Sequence, residues 1–279
     1  MSTKIIYSIL VFWLIAVVPG SGETGEARKR ISDLKRASPN ESVSAAEIQF
    51  GRQLAARILG NYPLYDDVKA NRYINLVGKG VARYAGGEIR EYYFAILDSD
   101  EVNAFAAPGG YVFITKGAVL KMENEAQLAA VLGHEIAHIM QRHVIKELDI
   151  RDDKGSAISG IAALIGGASG GFRETLDKAL TDAEEILFNR GYMIEDEIEA
   201  DQAGIILASM AGYHPGALKN FLTHAGAFEK VKAHPDGDHP VLQRRIEKIN
   251  AVLAEHGLQH MHGQKIEERY YDYIKKIRY

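Results

Sequence analysis

Two histidines and a glutamate interrupt an otherwise apolar segment, AAVLGHEIAHIMQRH, which runs from Ala129 to His143. Residues four apart share one face of an α-helix, so His134 and His138 can direct their rings at a single ion. Glu135 stands beside the first imidazole, where its carboxylate can take a proton from a water molecule held by that ion. A carboxylate among apolar neighbours is costly unless something compensates its charge. The spacing therefore predicts a divalent metal site with an adjacent general base.

A third metal ligand is expected elsewhere in the chain, because catalytic zinc is normally held by three protein ligands and keeps one position open. The chain has no cysteine, which leaves His, Asp and Glu. On a helix, the stretch EDEIEADQAG would carry Glu197 and Asp201 on one face and turn Glu195 and Glu199 away from it. We expect Glu197 to be the third ligand and Asp201 to accept a hydrogen bond from a ligating histidine. His143 and the other histidines without such spacing are expected to be ordinary surface or core residues.

The segments around these motifs predict a mostly helical α+β domain. Apolar residues recur at helical spacing over 44–60, 63–84, 125–148, 194–210 and 240–253. Aromatic and β-branched residues over 91–99 and 111–115 predict a small mixed or antiparallel sheet beside the helix that carries the histidines.

The stretch NAFAAPGG precedes the second strand-like segment, and its Pro108, Gly109 and Gly110 predict a tight turn. We expect the strand after the turn to leave an unpaired edge, to which an extended peptide could be added as a further strand. A plain hairpin in a mixed core is the alternative interpretation. The residues expected to contact such a peptide are Asn103, Ala104, Phe105, Ala106, Gly109 and Gly110.

The N-terminus predicts export from the cytoplasm. A lysine is followed by an apolar run over 5–18 and small residues over 19–22, the pattern of a secretory signal peptide covering 1–22. The run is shorter than the roughly 20 residues that span a bilayer, although an uncleaved inner-membrane anchor is the alternative. We expect a mobile leader over 23–43, a single domain over 44–279, and a periplasmic location, in which a chain without thiols avoids oxidation.

Composition and two unusual stretches of sequence limit the kinds of partner that we expect. With a net charge of −4 and a pI near 6.2, the chain gives no electrostatic reason to expect nucleic acid as a partner. The Gly-rich stretch 155–171 is expected to be a buried or loosely packed connecting helix, with an active-site lid or a membrane-touching hairpin as alternatives. The aromatic and basic stretch 269–279 is expected to be a packed terminal segment, with a peripheral membrane or envelope-protein contact as the alternative.

Four motifs together resemble metallopeptidase family forty-eight, the HtpX/BepA/LoiP-like and CAAX-prenyl-protease enzymes. They are NAFAAPGGYVFITKGAV from Asn103, NEAQLAAVLGHEIAH from Asn124, EIEAD from Glu197 and HPVLQRRI from His239. The resemblance extends over about 44–249, and it implies a zincin fold of the gluzincin type.

The resemblance also implies roles for individual residues. His134, His138 and Glu197 match the ligands of one zinc ion, Glu135 matches the general base, and Asp201 matches the acid of the ExxxD signature. His239 and Arg245 resemble an HPxxxxRI element whose cations could polarise the scissile carbonyl or occupy the open zinc position at rest. A second HP pair at His234, taken with Arg244, repeats this pattern in a shifted register.

The function that follows from the resemblance is a zinc-dependent metalloendopeptidase. Its expected substrates are polypeptides of the cell envelope, in quality control of unfolded or misassembled proteins. Only about 30 residues follow the RRI element, so we expect no repeat domain for partner docking. A zinc-stabilised periplasmic chaperone or binding module with little hydrolysis is the alternative, and a Glu135→Gln variant separates the two.

Overall fold

The computed structural model describes residues 45–86, 91–148, 170–225 and 241–278. The predicted signal peptide, the predicted leader, His239 and most of the Gly-rich stretch 155–171 lie outside these residues. The helices are α1 (Ala45–Asn61), α2 (Val68–Ala82), α3 (Lys116–Lys121), α4 (Glu125–Met140), α5 (His143–Glu147), α6 (Gly170–Glu185), α7 (Ile194–Met210), α8 (Ala217–Ala225), α9 (Val241–Glu255) and α10 (Glu267–Tyr273). The strands are β1 (Tyr93–Leu97), β2 (Ala104–Ala107) and β3 (Tyr111–Thr115).

The sheet is mixed, one of the two forms that the sequence predicts. Its strand order is β1-β3-β2, with β1 parallel and β2 antiparallel to β3. The prediction that the strand after the turn has an unpaired edge is wrong, because β3 is the central strand and is hydrogen-bonded on both sides. The edge strand next to α4 is β2, and Gly109 and Gly110 form the turn after it with positive φ angles of 80° and 101°.

Helix α4 is the buried centre of the domain. The Asn124 side chain accepts a hydrogen bond from the Gln127 backbone N–H at 3.1 Å and so caps its first turn. Every residue of α4 except Met140 is buried, which explains why the segment is apolar on all faces. The prediction of one helix over 125–148 is wrong, because Arg142 adopts a left-handed conformation with φ 56° and α5 starts anew at His143.

Helix α7 crosses α4 where two glycines face each other. A Cβ atom on Gly204 would lie 2.6 Å from the His134 backbone nitrogen, and one on Gly133 would lie 2.8 Å from the Gly204 carbonyl oxygen. Real Cβ atoms are not found at such distances, so only glycine allows the two backbones to approach this closely. The crossing brings the His134 segment of α4 against the middle of α7, the helix that also carries Glu197.

The terminal segment is packed, as predicted, over the part of 269–279 that the structure describes. Tyr270 is fully buried and its hydroxyl donates a hydrogen bond to the Val119 carbonyl. Arg269 forms an ion pair with Glu125, at the start of α4. Across the described ranges, no helix is both long enough and apolar enough to cross a membrane.

Candidate active site

Three side chains from α4 and α7 converge in the protein interior. The Nε2 atoms of His134 and His138 lie 2.9 Å apart; His134 Nε2 lies 3.6 Å from Glu197 Oε2, and His138 Nε2 lies 3.6 Å from Glu197 Oε1. All three residues are buried, with 3% or less of their surface exposed. Ligand atoms that share a tetrahedral zinc ion at about 2.0–2.2 Å lie roughly 3.4 Å from one another. The observed distances bracket this value, so two imidazoles and one carboxylate fit a zinc ion.

The far nitrogen of His134 faces a carboxylate that is itself held in place. His134 Nδ1 lies 3.0 Å from Asp201 Oδ1. Arg245 donates to both carboxylate oxygens of Asp201, at 2.8 Å from Nε and 2.7 Å from Nη2, and its Nη1 lies 2.9 Å from Glu197 Oε2. Burial by itself would raise the pKa of Asp201, but Arg245 and His134 keep it below its ordinary value. Asp201 is therefore a charged acceptor for the imidazole N–H of His134.

The far nitrogen of His138 faces a residue that the sequence interpretation treats as ordinary. His143 is fully buried, and its Nδ1 lies 2.8 Å from His138 Nδ1. The ring of Tyr192 is stacked on the His138 ring, with centroids 4.3 Å apart and an angle of 21° between the planes. His143 follows His138 by five residues, which is not a helical spacing, so no periodicity in the sequence could have indicated the contact.

Glu135 lines a cavity next to the three converging side chains. Its side chain is buried, and His138 forms part of the same wall. The edge strand β2 borders the cavity, and residues of the π-helical turn after α6 also line it. The remaining lining residues are Asn103, Ala104, Phe105, Ala106, Ile186, Leu187, Gly191 and Tyr192. The first four belong to the predicted substrate-binding set, whereas the last four carry no signal in the sequence.

Arg245 reaches the site from α9, but it is not among the residues that line the cavity. Its guanidinium is fully buried and contacts the carboxylates of Glu197 and Asp201. This arrangement favours a positioning role for Arg245 over contact with a scissile carbonyl. Arg244, its neighbour, pairs instead with Glu195 at 3.0 Å on the outside of the domain.

Comparison with known proteins shows a family and several relatives to which this chain is similar. The family model for peptidase family M48 matches residues 69–253. The beta-barrel assembly-enhancing protease of Escherichia coli K12 is 28% identical over 249 residues, which cover 84% of this chain and 50% of that protein. The mitochondrial metalloendopeptidase OMA1 of Schizosaccharomyces pombe is 30% identical over 191 residues, or 66% of this chain and 53% of the relative. Metalloprotease LoiP of Escherichia coli K12 is 27% identical over 173 residues, or 60% and 64%. The chain thus spans about half the length of the first two relatives.

Proposed function

Because this family model covers more than half of it, the chain belongs to peptidase family M48, and we propose that it is a zinc-dependent endopeptidase that cleaves extended polypeptide segments. The observation that carries the proposal is the convergence of His134, His138 and Glu197 beside a cavity that Glu135 lines. A structural zinc site is normally closed by four protein ligands. Here three ligands converge and the next carboxylate faces a cavity, the arrangement expected when one zinc position is kept for a reactant.

The chain's own residues have distinct roles in the proposed hydrolysis. When bound, zinc supplies a Lewis acid that polarises a carbonyl group and lowers the pKa of a water molecule. Glu135 takes the proton of the attacking water and delivers it to the leaving amine. Asp201 and Arg245 keep His134 and Glu197 in a fixed orientation, so the charges that stabilise the transition state are preorganised.

The edge strand β2 supports an extended substrate. A peptide added beside Ala104–Ala107 is aligned by main-chain hydrogen bonds, which depend little on its side chains. Phe105, Ile186 and Leu187 give the cavity an apolar lining, so we expect an apolar side chain to be accepted there. This mode of binding suits unfolded segments, because a folded protein rarely offers a free extended strand.

We infer a cell-envelope role from two further observations. The pattern over 1–22 is that of a signal peptide, and an uncleaved anchor would also expose the domain to the periplasm. One relative is named for enhancing beta-barrel assembly. The proposed substrates are therefore unfolded or misassembled envelope proteins.

The test is casein cleavage by a Glu135→Gln variant, measured together with its zinc content. We expect about one zinc ion per chain and a loss of cleavage of at least 10²-fold, since the general base is removed and the ligands are kept. Glu195→Gln is the matched control, because Glu195 is a half-exposed carboxylate on the same helix as Glu197, and it should cleave at the wild-type rate. Undiminished cleavage by Glu135→Gln with zinc retained would refute the proposed catalytic role of Glu135. Zinc binding without cleavage by the wild type would favour the chaperone alternative.

A further inference from the structure

His143 lies in a chain of polar contacts that begins at a proposed zinc ligand and ends at the surface. Its Nδ1 faces His138 Nδ1 at 2.8 Å, and its Nε2 lies 3.3 Å from Glu199 Oε2 and 3.5 Å from Asp196 Oδ1. His143 is fully buried, whereas the Glu199 side chain is 43% exposed. Glu199 is therefore the point at which the chain of contacts meets solvent.

The positions of the protons along this chain follow from the proposed metal site, on which the inference rests. A neutral imidazole carries one N–H and one acceptor nitrogen. If His138 Nε2 binds zinc, His138 Nδ1 carries the proton and must find an acceptor. His143 Nδ1 is that acceptor, and the proton of His143 is then on Nε2, where Glu199 accepts it. Each donor meets an acceptor in this arrangement.

We propose that His143 is a positioning residue that holds His138 in the tautomer whose Nε2 is free for zinc, and that Glu199 fixes the tautomer of His143 in turn. The two zinc-binding histidines would then be supported differently: a carboxylate holds His134, and a second imidazole holds His138. The hydrogen bond that His143 Nε2–H donates to Glu199 satisfies this buried donor, which would otherwise carry a desolvation cost.

The same proton count argues against a second metal ion on His143, Asp196 and Glu199, although these side chains also lie close enough to share one. A metal on His143 Nε2 would require the proton of that ring to be on Nδ1. Two protonated Nδ1 atoms would then face each other across 2.8 Å. Lys146 Nζ also lies 3.8 Å from Glu199 Oε2, where it already supplies a positive charge.

The experiment measures the zinc dissociation constant by competition with a chromophoric chelator, for the full chain and its variants. Loss of a hydrogen-bond partner of a ligating histidine typically weakens metal binding 10–100-fold, and we expect this for His143→Ala. His143→Asn offers an amide oxygen near the position of Nδ1, so it should recover much of the affinity. Glu199→Ala changes a half-exposed side chain, should fold normally, and should weaken binding several-fold. The control is His224→Asn, an exposed histidine on α8, with an unchanged constant.

A merely structural role for His143 would show in a different quantity. In that case the free energy of unfolding of the zinc-free protein would fall in His143→Ala. Zinc affinity would fall by the same factor in the Ala and Asn variants, so Asn would recover none of it. Wild-type zinc affinity in the variants would overturn the inference, and so would two metal ions per wild-type chain with one lost in His143→Ala. If the wild type itself binds no zinc, the proposed function fails first, so the two failures are distinguishable.

Discussion

Replacing Gly204 with alanine should separate the two helices that carry the proposed zinc ligands. The added Cβ would lie 2.6 Å from the His134 nitrogen and 2.7 Å from its Cα, whereas ordinary contact requires about 3.5 Å. Both atoms are backbone of a buried helix, so no side-chain rotation can relieve the overlap. The helices must therefore move apart by roughly 1 Å at the crossing.

The expected effects are large on function and moderate on stability. Overpacking a buried contact costs about 1–3 kcal/mol of the free energy of unfolding. A displacement of about 1 Å can reduce catalysis on the order of 10²-fold when the reacting groups depend on fixed geometry. Because His134 belongs to the displaced backbone and Glu197 to the opposite helix, zinc affinity should fall together with casein cleavage.

The assay combines urea unfolding, zinc competition and casein cleavage, with Gly80→Ala as the matched control. Gly80 is a glycine inside α2, and apart from its chain neighbours and the backbone of its own helix no heavy atom lies within 4 Å of the Cβ it would gain. Its replacement should raise the free energy of unfolding by about 0.5–1 kcal/mol and leave cleavage unchanged. If Gly204→Ala bound zinc and cleaved casein within a factor of two of the wild type, the close crossing would not be what fixes the ligands.

Two further predictions concern charge and metal. Burial alone would raise the pKa of Glu125, but hydrogen bonds from Arg269, Tyr73 and Tyr213 hold it below its ordinary value. The ion pair between Arg269 and Glu125 therefore stabilises the fold above about pH 4, and this stabilisation is lost as the pH falls through the lowered pKa of Glu125. Arg269→Met should therefore cost about 2 kcal/mol at pH 7, discounted because Arg269 is half exposed, and less at about pH 3, where the stabilisation is being lost. An equal cost in urea unfolding at both pH values would contradict this. Removing zinc with a chelator should lower the melting temperature. Free zinc at one hundred times its dissociation constant should restore about 2.7 kcal/mol of the free energy of unfolding. A melting temperature that does not change with zinc would argue against the metal site.

Helical periodicity is what made the candidate ligands predictable. His134 and His138 lie on one uninterrupted helix, where a spacing of four fixes their relation without knowledge of the rest of the fold. The same rule predicts that the Glu197 face of α7 is inside, and Glu197 and Asp201 are buried while Glu195 is half exposed. The order of the strands could not be predicted in this way. Strands β1 and β3 are paired in parallel although β2 comes between them in the sequence, and nothing local determines that pairing.

Sequence periodicity could not predict the break after α4, and this break brings His143 into contact with His138. Had the helix continued, His143 would lie about 140° around the axis from His138 and could not contact its ring. Arg142 interrupts the helix in a left-handed conformation, which costs an L-residue about 1–2 kcal/mol. Its Nε lies 3.4 Å from a carboxylate oxygen of Glu47, which is buried in α1, so a contact from a distant helix helps to hold the strained residue. A tertiary contact therefore helps to hold the conformation of one residue, on which the support of a proposed zinc ligand depends.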